Sequence, residues 1–302
     1  MVSILVPVYN ASQSVRECLS SLTGQTFTDL QIVVINDGST DDSWAILQEL
    51  ARQDKRLEIY SQPNCGVAAT RNRLLEKANG EFVLFVDSDD WIELNTIEVL
   101  MQEQQQHGAD MVVYNSLVEG VWDREKAVKE FLRHREFRGM LWNKLIKRSL
   151  FDKLYFDESV SYGEDALMVW RVLQRVNVVR LLGMKLYHYR TNENSLSLQP
   201  FNGMKFSAYT TWDAICADVD TLWPQCKDIA HARFACEMTL ILRDAAMKGY
   251  QHSSSISLLQ EEVRRDCHFI RKAGISSMKM SAYAWLVSHC YWLACKLLKF
   301  VK

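Results

Sequence analysis

The chain has 302 residues, 48% of them hydrophobic and 24% charged, and a net charge of -2. That length supports one large domain or two modest ones, and the near-neutral balance gives no electrostatic footprint for nucleic acid. Only 4 Pro, 12 Gly and no low-complexity tract exclude collagen-like and disordered classes, and 8 scattered Cys with no Cys-x-x-Cys pair fit neither a structural zinc site nor a disulfide scaffold.

The thiols are therefore expected in a reducing compartment. The first residues enter a strand pattern at once, so no signal peptide is read, and no 18-residue apolar stretch offers a simple membrane span. A cytoplasmic location is the expectation.

Val2 to Tyr9 forms the first strand, and Pro7, lacking an N–H, should mark its end or an edge. Ser12 or Ser14 can cap the next helix, whose apolar side carries Val15, Cys18, Leu19 and Leu22, with a turn at Gly24. Leu30 to Ile35 is the second strand, followed by Asn36-Asp37-Gly38-Ser39-Thr40-Asp41-Asp42 and a helix over 43–53. A short third strand, Leu57 to Tyr60, leads through the loop Pro63-Asn64-Cys65-Gly66 into a helix over 67–78.

The run Glu81-Phe82-Val83-Leu84-Phe85-Val86 reads as a buried, parallel strand. It ends in Asp87-Ser88-Asp89-Asp90, three carboxylates within four positions. Such a cluster repels itself unless a cation or a donor-rich ligand sits there; the plain alternative is a helix-starting turn. Alternating strands and helices specify βαβ units and a sheet covered on both faces. The Gly-x-Gly-x-x-Gly fingerprint and the Walker loop are both absent after the first strand, which disfavours a nicotinamide dehydrogenase or a P-loop ATPase.

A helix over 94–107 and a strand over 110–114 follow. The polar segment 119–139 should be part helix or a loop over the site, and Trp142 to Ile146 has a helical look. Glu164 and Asp165 open a helix, where the dipole favours acids. Val176–Val179 and Lys185–Tyr189 have strand content. Beyond about residue 200 only helices are read: 206–219, 229–247, 255–269 and one last helix over 281–301. Residues 267–302 contain no Asp or Glu but carry six Lys or Arg and five Tyr, Trp or Phe between Tyr283 and Phe300, a composition suited to peripheral contact with an anionic membrane surface. Ordinary packing with outward lysines is the other reading.

Four segments in order, Pro7-Val8-Tyr9-Asn10, Val33 to Asp41, Asn64-x-Gly66-x-Ala68-x-x-Arg71-Asn72 and Asp87-Ser88-Asp89-Asp90, resemble the family-2 glycosyltransferases across the first 95 or so residues. Trp142-Asn143-Lys144, Gly163-Glu164-Asp165 and Tyr187-His188-Tyr189-Arg190 resemble the bacterial members that build capsules, lipopolysaccharide or other surface glycans. The resemblance implies an A-type glycosyltransferase fold, an α/β three-layer sandwich, with a helical C-terminal extension. Its expected division is a catalytic domain over 1–200, nucleotide-binding to about 100 and acceptor-binding beyond, and a helical region over 201–302.

By the same resemblance, Pro7, Tyr9 and Asp37 would hold the base and ribose of a nucleotide-diphosphate sugar, usually uridine-linked. Arg71 would lie near the base or diphosphate, Asp87 by the ribose with Ser88 beside it, and Asp89 would bind Mn²⁺ or Mg²⁺. His188 would complete metal or diphosphate contact, Asp165 would be the general base with Glu164 its neighbour, and Trp142 and Lys144 would meet the acceptor or the phosphates. The acceptor would be a glycan or a lipid-linked glycan at the inner membrane face.

Chemistry supports these types. A hard cation on one or two carboxylates neutralises a leaving diphosphate, a base must be close to the acceptor hydroxyl, and Arg offers a fixed fork to phosphate. Each residue also has a structural alternative: a cap for Asp89, a turn for Asp37, a solvated charge for Arg71, a favourable helix start for Asp165 and packing for His188 and Trp142. Two rival functions remain. A sugar-phosphate nucleotidyltransferase would need a Gly-rich basic loop after the first strand, which Pro7-Val8-Tyr9-Asn10-Ala11 does not supply, and a non-catalytic nucleotide-sugar-binding module would have lost Asp89 or Asp165.

Overall fold

The computed structural model describes residues 1–190, 203–250, 253–274 and 278–298. In chain order the elements are β1 (Val2–Val8), α1 (Val15–Thr23), β2 (Leu30–Asp37), α2 (Ser43–Ala51), β3 (Leu57–Gln62), α3 (Val67–Lys77), β4 (Phe82–Phe85), β5 (Trp91–Ile92), α4 (Thr96–His107) and β6 (Met111–Val113). There follow β7 (Gly120–Asp123), α5 (Arg124–Arg133), β8 (Lys144–Lys147), α6 (Glu164–Leu173), β9 (Val178–Leu181) and β10 (Tyr187–His188). The helical end comprises α7 (Ala208–Leu222), α8 (Lys227–Met247), α9 (Ser253–Lys272), α10 (Met278–His289) and α11 (Tyr291–Leu298).

Two compact units are present. One comprises Met1–Val128, Glu136–Glu158 and Met168–Thr191; the other comprises Lys129–Arg135, Ser159–Leu167 and Asn192–Lys302. The short segments 129–135 and 159–167 thus group with the helical end of the chain.

The first unit is built on an eight-stranded sheet in the order β3-β2-β1-β4-β8-β6-β9-β7. β1 to β4 are mutually parallel, with Val8 opposite Asn36 and Leu5 opposite Phe85. β2 is buried along its whole length, as expected of a strand covered on both faces. Each fully buried Val, Ile or Leu there contributes about 1.5–3 kcal/mol relative to exposure.

β1 is central in the sheet, and of the two places expected for Pro7 it is the strand's end that holds: Pro7 is the second-last residue of β1. Its ladder with β4 stops at the Leu5–Phe85 pair, so the missing N–H of Pro7 falls where β4 offers no partner. Ser14 sits at the start of α1 without capping it; its hydroxyl donates instead to the carbonyls of Ala11 (3.3 Å) and Ser88 (3.0 Å).

The second half of the sheet departs from pure βαβ order. β8 lies antiparallel between β4 and β6, β9 is parallel to β6, and β7 is antiparallel to β9. Residues 144–147, given a helical look by their sequence, form this inserted strand. The four residues of β8 show no stable helical period, and pairing on both sides outweighs local propensity. β5 and β10 make a separate two-stranded antiparallel ribbon.

In the helical unit, α8 packs against α7, α9, α10 and α11. Its buried side carries many small residues, among them Ala230, Ala235, Ala245 and Ala246, which let helices approach closely. The single terminal helix expected over 281–301 is two helices, interrupted at Cys290, and its last residues lie outside those described. Among the described residues no helix is long and apolar enough to cross a membrane.

Candidate active site

Because β1, β2, β3 and β4 run parallel, their carboxyl ends share one edge, where open α/β sheets place ligands. Tyr9 and Asn10 leave β1 there, Asp37 ends β2, and Asp87 to Asp90 follow β4. Tyr9 is exposed and Pro7 half-buried.

Asp37 is buried and works on the loop after β3. Its carboxylate accepts from the backbone N–H of Cys65 (3.0 Å), the backbone N–H of Gly66 (3.0 Å) and the Gln62 amide (2.7 Å). Gly38 beside it has φ +68°, and a Cβ there would meet the Asn64 backbone nitrogen at 2.6 Å, so this close approach requires glycine. The loops after β1 and β2 are tied together as well. Asn10 accepts from the Thr40 N–H at 2.8 Å, and Asp41 accepts from the Ser12 N–H at 2.9 Å and the Ser43 hydroxyl at 2.5 Å. Burial works to raise the Asp41 pKa, but hydrogen bonds from Ser43 and Ser12 win and hold it at about 2.

The turn after β4 divides its carboxylates. Asp87 stands 3.5 Å from the guanidinium of buried Arg71 on α3, which also lies over the Phe156 ring. Asp90 is buried, and both its oxygens are engaged: Tyr187 donates its hydroxyl at 2.6 Å and Arg190 its backbone N–H at 2.7 Å. Burial still pushes the Asp90 carboxyl up to about 7. Asp89 is half-buried, and burial raises its pKa too. Among the described residues no side chain donates a hydrogen bond to the Asp89 carboxylate, whereas its backbone carbonyl accepts from Arg190 Nε at 3.0 Å. Apart from its own backbone N–H, the Asp89 carboxylate thus has less protein engagement than Asp87 or Asp90, and an oxygen donor of this kind could serve a hard divalent cation that takes its other ligands from phosphate and water. Among the described residues no group of three or more His, Cys, Asp or Glu is set to hold a metal by itself. The Ser88 carbonyl is fixed by Ser14, and that of Asp87 by the Cys18 thiol at 3.6 Å.

His188 on β10 lies flat on Trp91, with ring centroids 5.0 Å apart, and its Nε2 meets Glu93 at 2.6 Å. Its described contacts are thus with Trp91 and Glu93. Trp142 stacks on Tyr187 at 4.5 Å, so one of its faces is covered.

Lys144 departs most from expectation. It is fully buried, and its ammonium donates to the carbonyls of Arg138 (2.9 Å) and Met140 (2.6 Å) and to Asn143 Oδ1 (2.7 Å). Three donors spent on its own segment leave none for an acceptor or phosphate; the residue organises the chain ahead of β8. Glu164 and Asp165 occupy the first turn of α6, as expected, half-buried. They follow Gly163, whose φ is +93°.

Several contributors carried no assigned role in the sequence. Tyr187 bridges the turn, accepting from the Asp87 N–H (3.2 Å) while donating to Asp90. Asn72 exchanges hydrogen bonds in both directions with the Phe156 backbone, donating at 3.1 Å and accepting at 2.7 Å, which holds the segment under Arg71. Asn115 accepts from the N–H groups of Leu186 (2.7 Å) and Tyr187 (3.2 Å) and so aims β10 at the turn. Asn72 and Tyr187 stand inside two of the motif segments without a role assigned to them, and nothing in the sequence singled out Asn115.

Comparison with known proteins shows the family and the fold. The model of glycosyl transferase family 2 matches residues 3–167. Glycosyltransferase GlyA of Streptococcus pneumoniae serotype 4 is 35% identical over 218 residues, covering 65% of this chain and 31% of GlyA. The glycosyltransferase EpsJ of Bacillus subtilis is 32% identical over 221 residues, 67% of this chain and 64% of EpsJ. The chain thus spans less than two-thirds of the length of either relative. A crystal structure of S. aureus TarS 1-349 in complex with UDP-GlcNAc superposes with a TM-score of 0.76 at 21% identity, over 99% of this chain and 90% of that one. The two share the A-type fold. With its family model matched over more than half its length, the chain belongs to glycosyltransferase family 2.

Proposed function

We propose that the chain is an inverting glycosyltransferase that moves a sugar from a nucleotide-diphosphate donor, uridine-linked in the first instance, to a glycan or lipid-linked acceptor. The observation that carries the reading is the division of partners after β4: Arg71 engages Asp87, Tyr187 and Arg190 engage Asp90, and among the described residues no side chain donates to the Asp89 carboxylate. In this proposal the loops ending β1 and β2, with Tyr9 and Asp37, receive base and ribose, and Arg71 faces the diphosphate side. Asp89 would hold the divalent cation, Mn²⁺ or Mg²⁺, whose chemistry when bound is to neutralise the leaving diphosphate. We assign His188 to supporting Trp91 and Glu93 rather than to that cation.

Asp165 takes the proton from the acceptor hydroxyl as the new bond forms, with Glu164 beside it. Attack with the base on the face opposite the leaving group inverts the anomeric carbon, the logic of single-displacement sugar chemistry. Trp142 offers a partly open aromatic surface to a sugar. Support for a nucleotide-sugar donor comes from the like-folded TarS complex with UDP-GlcNAc and from a mannosyltransferase of Pyrobaculum calidifontis in complex with GDP-Man and Mn²⁺ (TM-score 0.56, 16% identity). A polysaccharide acceptor is supported by similarity to a chondroitin synthase of Escherichia coli, 27% identical over 254 residues.

The test is nucleoside diphosphate release from a panel of UDP and GDP sugars, with and without Mn²⁺, in wild type, Asp89→Ala and Asp165→Ala. Metal-stimulated release that Asp89→Ala abolishes is expected. No binding or turnover of any nucleotide sugar sinks the proposal, while full transfer to a true acceptor by Asp165→Ala removes only the base.

A further inference from the structure

The last two helices present a bare aromatic face. Trp285 is 57% exposed, Trp292 65%, Leu297 53% and Leu293 39%, whereas Ala284, Val287, Ala294, Cys295 and Leu298 on the other side are buried. Residues 282, 285, 289, 292 and 296, all exposed, follow one another at spacings of three and four, the period of one helix face, carried across the break at Cys290. The helices are pinned from behind. Gln260 and Arg264 on α9 donate to the carbonyls of Val287 and Ser288 at 2.6–3.2 Å, and the Tyr291 hydroxyl donates to the Tyr250 carbonyl at 2.9 Å. The aromatic face is thereby held outward by the unit's own packing.

Its charge has one sign. Lys279 is exposed near the start of α10, and Lys296 lies over the Trp292 ring at 3.7 Å. Lys299 and Lys302 follow in sequence, with no Asp or Glu anywhere from 267 to 302. A second copy laid symmetrically on this face would set lysine against lysine with no acid to offset them. An anionic bilayer meets both properties at once: indole rings settle at the headgroup boundary, and lysines reach up to the phosphates.

We propose that the exposed face of α10 and α11, centred on Trp285 and Trp292 and flanked by Lys279 and Lys296, is a docking surface for an anionic lipid bilayer, holding the chain at the membrane surface without crossing it. This goes beyond the transfer reaction and does not depend on it.

Vesicle sedimentation of the full chain tests it, using phosphatidylcholine alone and phosphatidylcholine with phosphatidylglycerol as about a third of the lipid. The wild type should bind the anionic vesicles, bind phosphatidylcholine at least about tenfold more weakly, and come off as salt rises. Trp285→Ser/Trp292→Ser should lower binding to anionic vesicles by about tenfold or more. Lys279→Glu/Lys296→Glu should remove the preference for anionic lipid. Both variants should keep wild-type circular dichroism and wild-type nucleoside diphosphate release. The proposal is overturned if the wild type ignores anionic vesicles, if both folded variants bind like the wild type, or if sedimentation velocity shows a dimer that the tryptophan variant makes monomeric, since a second copy then covers the face. Should the tryptophan variant misfold, the lysine variant and the salt dependence of the wild type decide.

Discussion

The two halves of the sheet differ in strand direction and in what stands at the ends of their strands. Around β1 to β4 the strands are parallel, buried Ser3 and Gln31 tie β1 and β2 to each other and to the end of α3, and further polar side chains gather past the carboxyl ends, where among the described residues no side chain donates to the Asp89 carboxylate. Around β8, β6, β9 and β7 the strands are short and mixed in direction, and polar side chains hold neighbouring segments: Arg180 of β9 donates to Glu103 at 2.6 Å and to the Leu181 carbonyl at 2.8 Å. Lys144 is the extreme case, a buried ammonium satisfied by three oxygens of its own segment. A charged side chain can be left open at one end of a sheet or serve as scaffolding in the middle of it; what decides is whether its hydrogen bonds are already spent.

The largest effect should separate these roles. Asp89→Ala is expected to lower metal-stimulated nucleoside diphosphate release by about a hundredfold or more, with the thermal midpoint unchanged within experimental scatter. If activity survives, the open carboxylate is not the metal ligand. Lys144→Met should do the reverse. It removes the ammonium partner of the Arg138 and Met140 carbonyls and of buried Asn143 Oδ1 and should cost about 2 kcal/mol in denaturant unfolding, while the KM for the donor sugar stays at the wild-type value. A raised KM with normal stability would return Lys144 to the site and break the comparison.

Asp37→Asn tests a residue that straddles the two roles. An amide cannot accept from the Cys65 and Gly66 N–H groups and the Gln62 amide as a carboxylate does. The loop should loosen by about 2 kcal/mol, and donor KM should rise more than kcat falls.

Two smaller effects concern pH. Folding lowers the Asp41 pKa to about 2 from an ordinary 3.8, so its contribution is present above 3.8 and is lost as pH falls toward 2. An Asp41→Asn variant should show a flatter loss of stability across that window.

In the helical unit His231 of α8 bridges Asp266 of α9 at 2.8 Å and Asp220 at the end of α7 at 3.1 Å, with Lys227 and Arg265 on the same carboxylates. Its hydrogen bond to Asp266 raises its pKa above 6.5. The contribution is therefore complete below 6.5 and fades as pH rises through the higher folded value. His231→Gln should remove most of that alkaline decline in thermal stability.

Much of the donor side was legible in the residues. Continuous apolar runs named β1, β2 and β4, because a strand buried on both faces has no polar alternation to blur it. The acids after them stood out because carboxylates at strand ends have few structural reasons to cluster. The inserted strand β8 was not legible: four residues carry too little pattern to outvote a helical look, and both its pairing partners, β4 and β6, lie more than thirty residues earlier in the chain. The expected single helix over 281–301 missed its interruption at Cys290, since that residue breaks no apolar period.

By itself the sequence determined the parallel β1–β4 core, the order of the four motif segments and the acids at the start of α6, all of which follow from local periodicity and residue type. The tertiary structure alone decided which carboxylate after β4 stays open, that Tyr187, Asn72 and Asn115 brace the turn, and that Lys144 is sealed inside. Those outcomes depend on hydrogen bonds between residues as many as 100 positions apart in the chain, and no local pattern records which donor will reach which acceptor.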